Sequence, residues 1–478
     1  MVVKAKEDGS EEWVTVGTGT TNAEGGFTIA LTRSVPKGYT LRVECDGVPG
    51  SEHRVVWYDG LPNGGKRYSV TVGEGQLSLD GSRRIVGAAG AATPGKYVTL
   101  KKNKRVAGRG PVASDGSFAI DTNQDIAPGD VIEVTEEREY VTSGATTDYN
   151  HAVLVVREDG TVWGNADSGT PLGISSSITG YNLGTPPRQM MNMTDAVMAV
   201  TNARHTLVLR RDGTVWATGY NNYGQLGDGT TATRLTPVQV QGLTGVIDIA
   251  VGYGHSLALL SDGRVMAWGN NVYGQLGDGT TQNKLVPVEV QGITNAVAIA
   301  AGDYHSLALL ADGRVMAWGY NGKGQLGDGT EQDKIVPVQA GGITNAVAVT
   351  AGRNMSCALL EDGRVAAWGD NDYYQLGLGH NSSPITVPTV VPNLTGARAV
   401  AMKARPYNAG KLTVLLEDGT VKESAGTQGM VTKAGLPTVE ALAKTAGAGY
   451  MVVILRDGGV AYWETTPQIS TRPEYDLW

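Results

Sequence analysis

Residues 255–292 read HSLALLSDGRVMAWGNNVYGQLGDGTTQNKLVPVEVQG, and 50 residues on, from His305, stands HSLALLADGRVMAWGYNGKGQLGDGTEQDKIVPVQAGG. A third copy, HTLVLRRDGTVWATGYNNYGQLGDGTTATRLTPVQVQG, starts at His205. A repeat of this length decides architecture before any single residue does. Its marker is an Asp-Gly dipeptide after an apolar run, found at Asp159, Asp212, Asp262, Asp312, Asp362, Asp418 and Asp457. The spacings are 53, 50, 50, 50, 56 and 39, so seven units follow one another, with the outer ones degraded.

Each unit reads as four short strands. One is VPVEV around Val286 to Val290, a second AVAIAAG from Ala296, a third SLALLAD from Ser306 and a fourth RVMAWG from Arg314. Asp-Gly between the last two predicts a two-residue hairpin turn, because both positions tolerate positive φ. The second and third strands are almost continuously apolar, which predicts cover on both faces. Ala and Gly dominate the second, as suits a place where sheets converge. Four strands per unit of about 40–50 residues is the blade period of a propeller rather than of a solenoid. The expected fold is all-β, with a seven-bladed β-propeller over about residues 140–470.

The run G-x-x-H-S-x-x-L-x-x-D-G-x-V-x-x-W-G-x-N-x-x-G-Q-L-G-x-G stands here as Gly252, His255, Ser256, Leu259, Asp262, Gly263, Val265, Trp268, Gly269, Asn271, Gly274, Gln275, Leu276, Gly277 and Gly279. It resembles the regulator of chromosome condensation repeat, and the unit from Gly302 matches with Asn321, Gln325 and Gly329. The resemblance implies a seven-bladed propeller independently of the spacing. It weakens around Asp418, where Ser424 takes the Trp position and the Gln-Leu-Gly loop is missing, as it is in the first and last units. Founding members of the family act as guanine-nucleotide exchange factors for a small GTPase on chromatin. Neither a protruding wedge nor a basic tail aligns here, so exchange activity ranks below the readings that follow.

Composition agrees with an all-β chain. The 67 glycines in 478 residues favour turns over long helices. A formal net charge of -8 argues against an electrostatic grip on nucleic acid. No apolar run is long enough for a membrane helix, and the start, MVVKAKEDGSEEWV, has no apolar stretch of the secretory kind. The two cysteines, Cys45 and Cys357, fall in different expected domains, so a disulfide between them is not expected.

The front end carries one short theme twice. NAEGGFTIAL is followed by PKGYTLRVECDG, and ASDGSFAIDT by APGDVIEVTEE, with Phe27 and Phe118 in the same slot. Residues 1–80 resemble carboxypeptidase-regulatory or transthyretin-like β-sandwiches, and residues 81–139 a bacterial immunoglobulin-like β-sandwich. The expected domains are therefore 1–80, 81–139 and a propeller with a C-terminal tail over 140–478. Small sandwiches of this kind usually space and attach.

Chemistry finds little purchase. His151, His205, His255 and His305 sit near one repeat position, but equivalent residues of adjacent blades are too far apart for a shared ligand distance of about 2 Å. An inner-strand hydrogen bond is the expected role. Gly60 to Lys66 and Gly90 to Lys96 mimic a phosphate loop, yet Arg67 and Tyr97 follow where Ser or Thr is needed. Asp370, Asp372, Asp278 and Asp328 lack the calcium-loop pattern and read as solvated turns. No nucleophile elbow or zinc-protease motif occurs. No catalytic residue, metal or cofactor is expected, and the chain is read as not an enzyme.

Trp163, Trp216, Trp268, Trp318, Trp368 and Trp463 are read as one blade-to-blade packing position, against the alternative of a carbohydrate-stacking ring. Binding is sought instead in loop residues that vary between near-identical blades: Tyr220, Tyr223, Tyr273, Tyr320, Lys323, Tyr373 and Tyr374. Tyrosine gives flat amphipathic contact at low entropic cost. The sum is a structural and binding protein, expected as a phage virion appendage: tail fibre, receptor-binding, or capsid decoration or head-fibre protein. Its sandwiches would hold other virion proteins, and its propeller loops a host-surface protein or glycan. Neither nucleic acid nor membrane insertion is expected, and self-association suits an appendage. A bacterial cell-surface or secreted adhesin is the alternative.

Overall fold

The computed structural model describes residues 160–164, 188–202, 204–402, 410–439 and 441–442 with their side chains, and the other strands between residues 2 and 470 essentially as backbone. The chain divides into two compact units, Met1–Arg138 and Glu139–Trp478. In the first, ten strands follow one sheet order, in which Arg67–Thr71 pairs with Val131–Glu136 and Tyr39–Glu44 with Arg84–Gly87. The two modules expected at 1–80 and 81–139 lie, in their side chains and connecting loops, outside the described residues. So do both phosphate-loop mimics, His151 and Cys45.

The second unit consists of seven four-stranded antiparallel sheets, each built from strands consecutive in the chain. The fourth sheet is typical: Ala296–Ala301, His305–Leu310, Val315–Gly319 and Lys334–Gln339. Neighbouring sheets pack face to face, and the ring closes where Val141–Thr146 of the first sheet lies against Met451–Leu455 of the seventh. This is the expected seven-bladed propeller. Its phase differs from the sequence reading, however. The strand Lys284–Glu289, containing most of VPVEV, pairs with Val265–Gly269 and is the outermost strand of the third blade, not the opening strand of the fourth.

Burial follows from this radial order. Innermost strands such as Ala296–Ala301 face their counterparts across narrow gaps, which small residues permit. All six residues of His255–Leu260 and His305–Leu310 are buried, because sheets cover both faces of a second strand. The residues of the outermost strands are half-buried or exposed. The outer edges of blades two to five each carry a central proline, Pro237, Pro287, Pro337 and Pro388, which removes an N–H and discourages pairing with another chain.

The Asp-Gly turn is also built differently. Leu260 N–H donates to the Arg264 carbonyl at 2.9 Å and Gly263 N–H to the Leu260 carbonyl at 3.0 Å. Three residues thus form the loop, and only Gly263 has positive φ, at 85°. A type I turn ending in a left-handed glycine needs no positive φ at Asp262, whose carboxylate instead accepts from Arg264 N–H at 3.1 Å. The Gly263 carbonyl then accepts Ala296 N–H at 2.9 Å, clipping each turn to the start of the next blade. Among the described residues no helix is long and apolar enough to cross a membrane.

Candidate functional site

The four-strand meander puts the loops after first and third strands on one face, and the Asp-Gly turns on the other. On the first face, the repeat residues clasp adjacent blades together. His255 Nε2 lies 3.0 Å from Ser306 Oγ of the next blade, and Ser306 Oγ donates to the Gln275 carbonyl at 2.8 Å. Trp318 Nε1 donates to that same carbonyl at 2.9 Å. Since the serine hydroxyl is committed as donor, it accepts from the histidine, which fixes the Nε2–H tautomer. The pattern recurs with His205, Ser256, Trp268 and Gln225, and with His305, Ser356, Trp368 and Gln325. The histidine bond therefore runs between blades, not along the inner strand.

Burial lowers all three histidine pKa values from 6.5 to about 3 and keeps the rings neutral. Their Nδ1 atoms are buried without a partner. Gly252 and Gly302 make room for the rings, since a Cβ at either would overlap the histidine and the next blade's backbone. Among the described residues no group of histidines, cysteines or acids could hold a metal.

Trp268, Trp318 and Trp368 are fully buried between blades, as expected. Trp163 and Trp216 occupy another position, though. Trp216 faces Val208 and Trp163 faces Val155, the register held by Met266 opposite Ala258, two residues before the Trp268 position. Of the aspartates expected as solvated turns, Asp372 is exposed, but Asp278 and Asp328 are not solvated. Asp278 and Asp328 are about nine-tenths buried and pair with Lys284 and Lys334 at 3.1 and 3.3 Å. Burial pulls the Asp278 carboxyl upward, but hydrogen bonds from Thr280, Lys284 and Asn271 outweigh it and leave the pKa below the ordinary value. Cys357 is buried in a second strand, and burial pushes its thiol above its usual range.

The loop after each third strand is held from within. Asn271 Oδ1 accepts Leu276 N–H at 3.0 Å, and its amide donates to Asp278 and the Thr280 carbonyl. Gln275 Oε1 accepts Tyr273 N–H at 2.9 Å. The same Asn and Gln bonds hold the backbone under Tyr223, Lys323 and Tyr373. The tip side chain takes no part in these bonds, and in two blades it stays exposed, Tyr223 at 38% and Tyr373 at 59%.

Of the predicted residues, Tyr273 and Tyr320 come together, with ring centroids 4.9 Å apart. Tyr223 rests against Gly254. Lys323 Nζ pairs with Asp372 at 2.8 Å, which raises the lysine pKa and lowers that of the aspartate. The Tyr220 backbone N–H bonds the Arg204 carbonyl. Tyr374 stands at φ 64°, where other blades place Gly224, Gly274 and Gly324. A Cβ at those glycines would press on the next blade's Leu285, Ile335 or Thr386.

The first-to-second-strand loops contribute residues that sequence reasoning missed. Tyr304 packs on Tyr273 at 5.4 Å and on Tyr253 at 5.5 Å, and the Arg204 guanidinium lies 3.9 Å over the Tyr253 ring. Arg353 pairs with Asp303 at 3.7 Å. Burial, and then the Asp303 charge, pushes Tyr304 up to about 12. The available signal was variation between similar blades: GYG, GDY and GRN at Gly252, Gly302 and Gly352.

The sequence pattern of the RCC1-like domain matches residues 71–341, and regulator of chromosome condensation (RCC1) repeats match residues 346–375 and 362–404. The first match alone covers more than half of the chain. The protein belongs to the RCC1-like domain family. Solved structures with the same fold include human WBSCR16, 20% identical over 68% of this chain and 90% of that one, with a TM-score of 0.54. Prp20p from Saccharomyces cerevisiae is 20% identical over 64% of this chain and 85% of its own, with a TM-score of 0.53, in a study of its binding to Gsp1p and histones. Yeast RCC1 (Prp20) bound to Kap60 is 20% identical over 62% and 75%, with a TM-score of 0.51. Prp20p thus binds other proteins.

Proposed function

We propose that this chain is a non-enzymatic binding protein of a phage virion appendage: a tail fibre, receptor-binding, or capsid decoration or head-fibre protein. Residues 1–139 attach it to other virion proteins, and the loop face of the propeller contacts a host surface or a further virion protein. The observation that carries the binding role is the separation of labour in the third-to-fourth-strand loops. Asn271 and Gln275 and their counterparts fix the backbone, so tip residues vary without disturbing the fold. Recognition sites gain from such rigid presentation, because little entropy is lost on binding. The protein partners of Prp20p support contact with a macromolecule. The appendage assignment rests on the two attachment modules read in residues 1–139.

Sedimentation of a gently lysed source culture through a density gradient, with immunodetection of the chain, tests the assignment. Comigration with large particles is the expected result. Recovery at the top of the gradient as a chain of 50.0 kDa would overturn it and leave the adhesin reading.

A further inference from the structure

Two cations of the loop face are held in ion pairs. Lys323 pairs with Asp372, and Arg353 with Asp303. Arg204 has no carboxylate partner among the described residues. Its guanidinium lies over Tyr253, its Nε is buried without an acceptor, and its terminal nitrogens are left as the open edge. From that cation a row of half-buried rings, Tyr253, Tyr304, Tyr273 and Tyr320, crosses the third and fourth blades in centroid steps of 4.9 to 5.5 Å. A second buried donor lacks an acceptor at the far end. Gln275 Nε2 bonds Asn270, but in the next blade Tyr320 takes the Asn270 position and Gln325 Nε2 is unpaired.

We infer that the row from Arg204 to Tyr320 binds a carboxylated oligosaccharide, with a sugar carboxylate on the Arg204 terminal nitrogens and successive pyranose rings against the tyrosines. The inference deepens the recognition role proposed above and rests on it. An arginine stacked on an aromatic ring is preorganised for a planar oxyanion, and the Arg204 fork has no acceptor among the described residues. The tyrosines offer apolar ring surface beside hydroxyls, which suits the alternating C–H and O–H faces of a pyranose. A nucleic acid is disfavoured by the net charge of -8.

Isothermal titration of the full chain with tetragalacturonate and with tri-sialic acid tests this, against carboxyl-reduced tetragalacturonate and penta-glutamate. Binding to at least one carboxylated sugar is expected, with neither control bound. Arg204→Gln should weaken it about tenfold or more, the loss typical of a charged hydrogen bond, and Arg204→Lys should recover part of it. Tyr304→Leu, which keeps the packing volume, should weaken it as well. No binding to either acid sugar, equal binding of either control, or an unaffected Arg204→Gln variant with an unchanged melting curve would overturn the inference. Labelled protein cosedimenting with intact cells of the source culture separates the two claims. Cell binding without acid-sugar binding refutes the subsite and spares the recognition role, whereas absence of cell binding refutes recognition of a host surface.

Discussion

The junctions between blades two and five and the junction between blades five and six solve one packing problem in two ways. In the first group a histidine, a serine, a tryptophan and a glutamine carbonyl make the same clasp three times. At the junction of blades five and six, Met355 stands for the histidine, Ser424 for the tryptophan, and the Gln375 carbonyl accepts the Leu412 main-chain N–H at 3.1 Å. Met430 fills the space beside Gly377 that a tryptophan fills beside Gly227, Gly277 and Gly327. The propeller thus tolerates loss of the repeat motif at one junction. Its repeated polar residues hold blades together, and the recognition role proposed above falls to the residues that the motif does not specify.

That contrast can be broken first at its tryptophans. Trp318→Ala should cost about 3–5 kcal/mol, the range for truncating a fully buried aromatic. Urea unfolding would measure it, and a cost below about 1 kcal/mol would place the ring outside the core. A matched pair of glycines comes next. Gly302→Ala drives a methyl into the rigid His305 ring and the Gly352 carbonyl, so a loss near the upper end of about 1–3 kcal/mol is expected. Gly352→Ala meets chiefly the mobile end of Met355 and should cost clearly less. Equal losses would mean that the histidine is no more confining than the methionine.

Acid sharpens the comparison further. The histidine pKa values are lowered in the folded state, so between about pH 6.5 and 3 the unfolded chain binds more protons and stability falls as pH falls. The loss at pH 5 is about 2 kcal/mol per histidine. Replacing all three with methionine, the residue that blade five already uses, should flatten the difference between urea midpoints at pH 7.5 and 5. An unchanged pH dependence would move the acid sensitivity elsewhere.

Seven blades were legible because the turn chemistry is local: Asp-Gly marks a left-handed glycine, and Gly213, Gly263, Gly313, Gly363 and Gly419 all adopt it. Blade phase was less legible. Lys284–Glu289 returns across a long loop to pair with Val265–Gly269, and nothing within the strand records its partner. The tryptophans misled for a related reason. Positions two apart share one face of a strand, so Trp216 and Trp268 both suit a blade interface, and only the count from the Asp-Gly turn separates them. The tyrosines of the longer loops stood out in the sequence because those loops look like loops. Tyr253, Tyr304 and Arg204 lie in short connections between apolar strands, where no turn motif singles them out.

The division between clasp and recognition is tested most directly by Tyr223→Ser combined with Tyr373→Ser, two exposed tips whose backbones are held by Gln225 and Gln375. Unfolding should shift by less than about 0.5 kcal/mol, the range for surface substitutions, while labelled protein loses its binding to intact cells of the source culture. Undiminished cell binding, or a stability loss as large as that of Trp318→Ala, would contradict it.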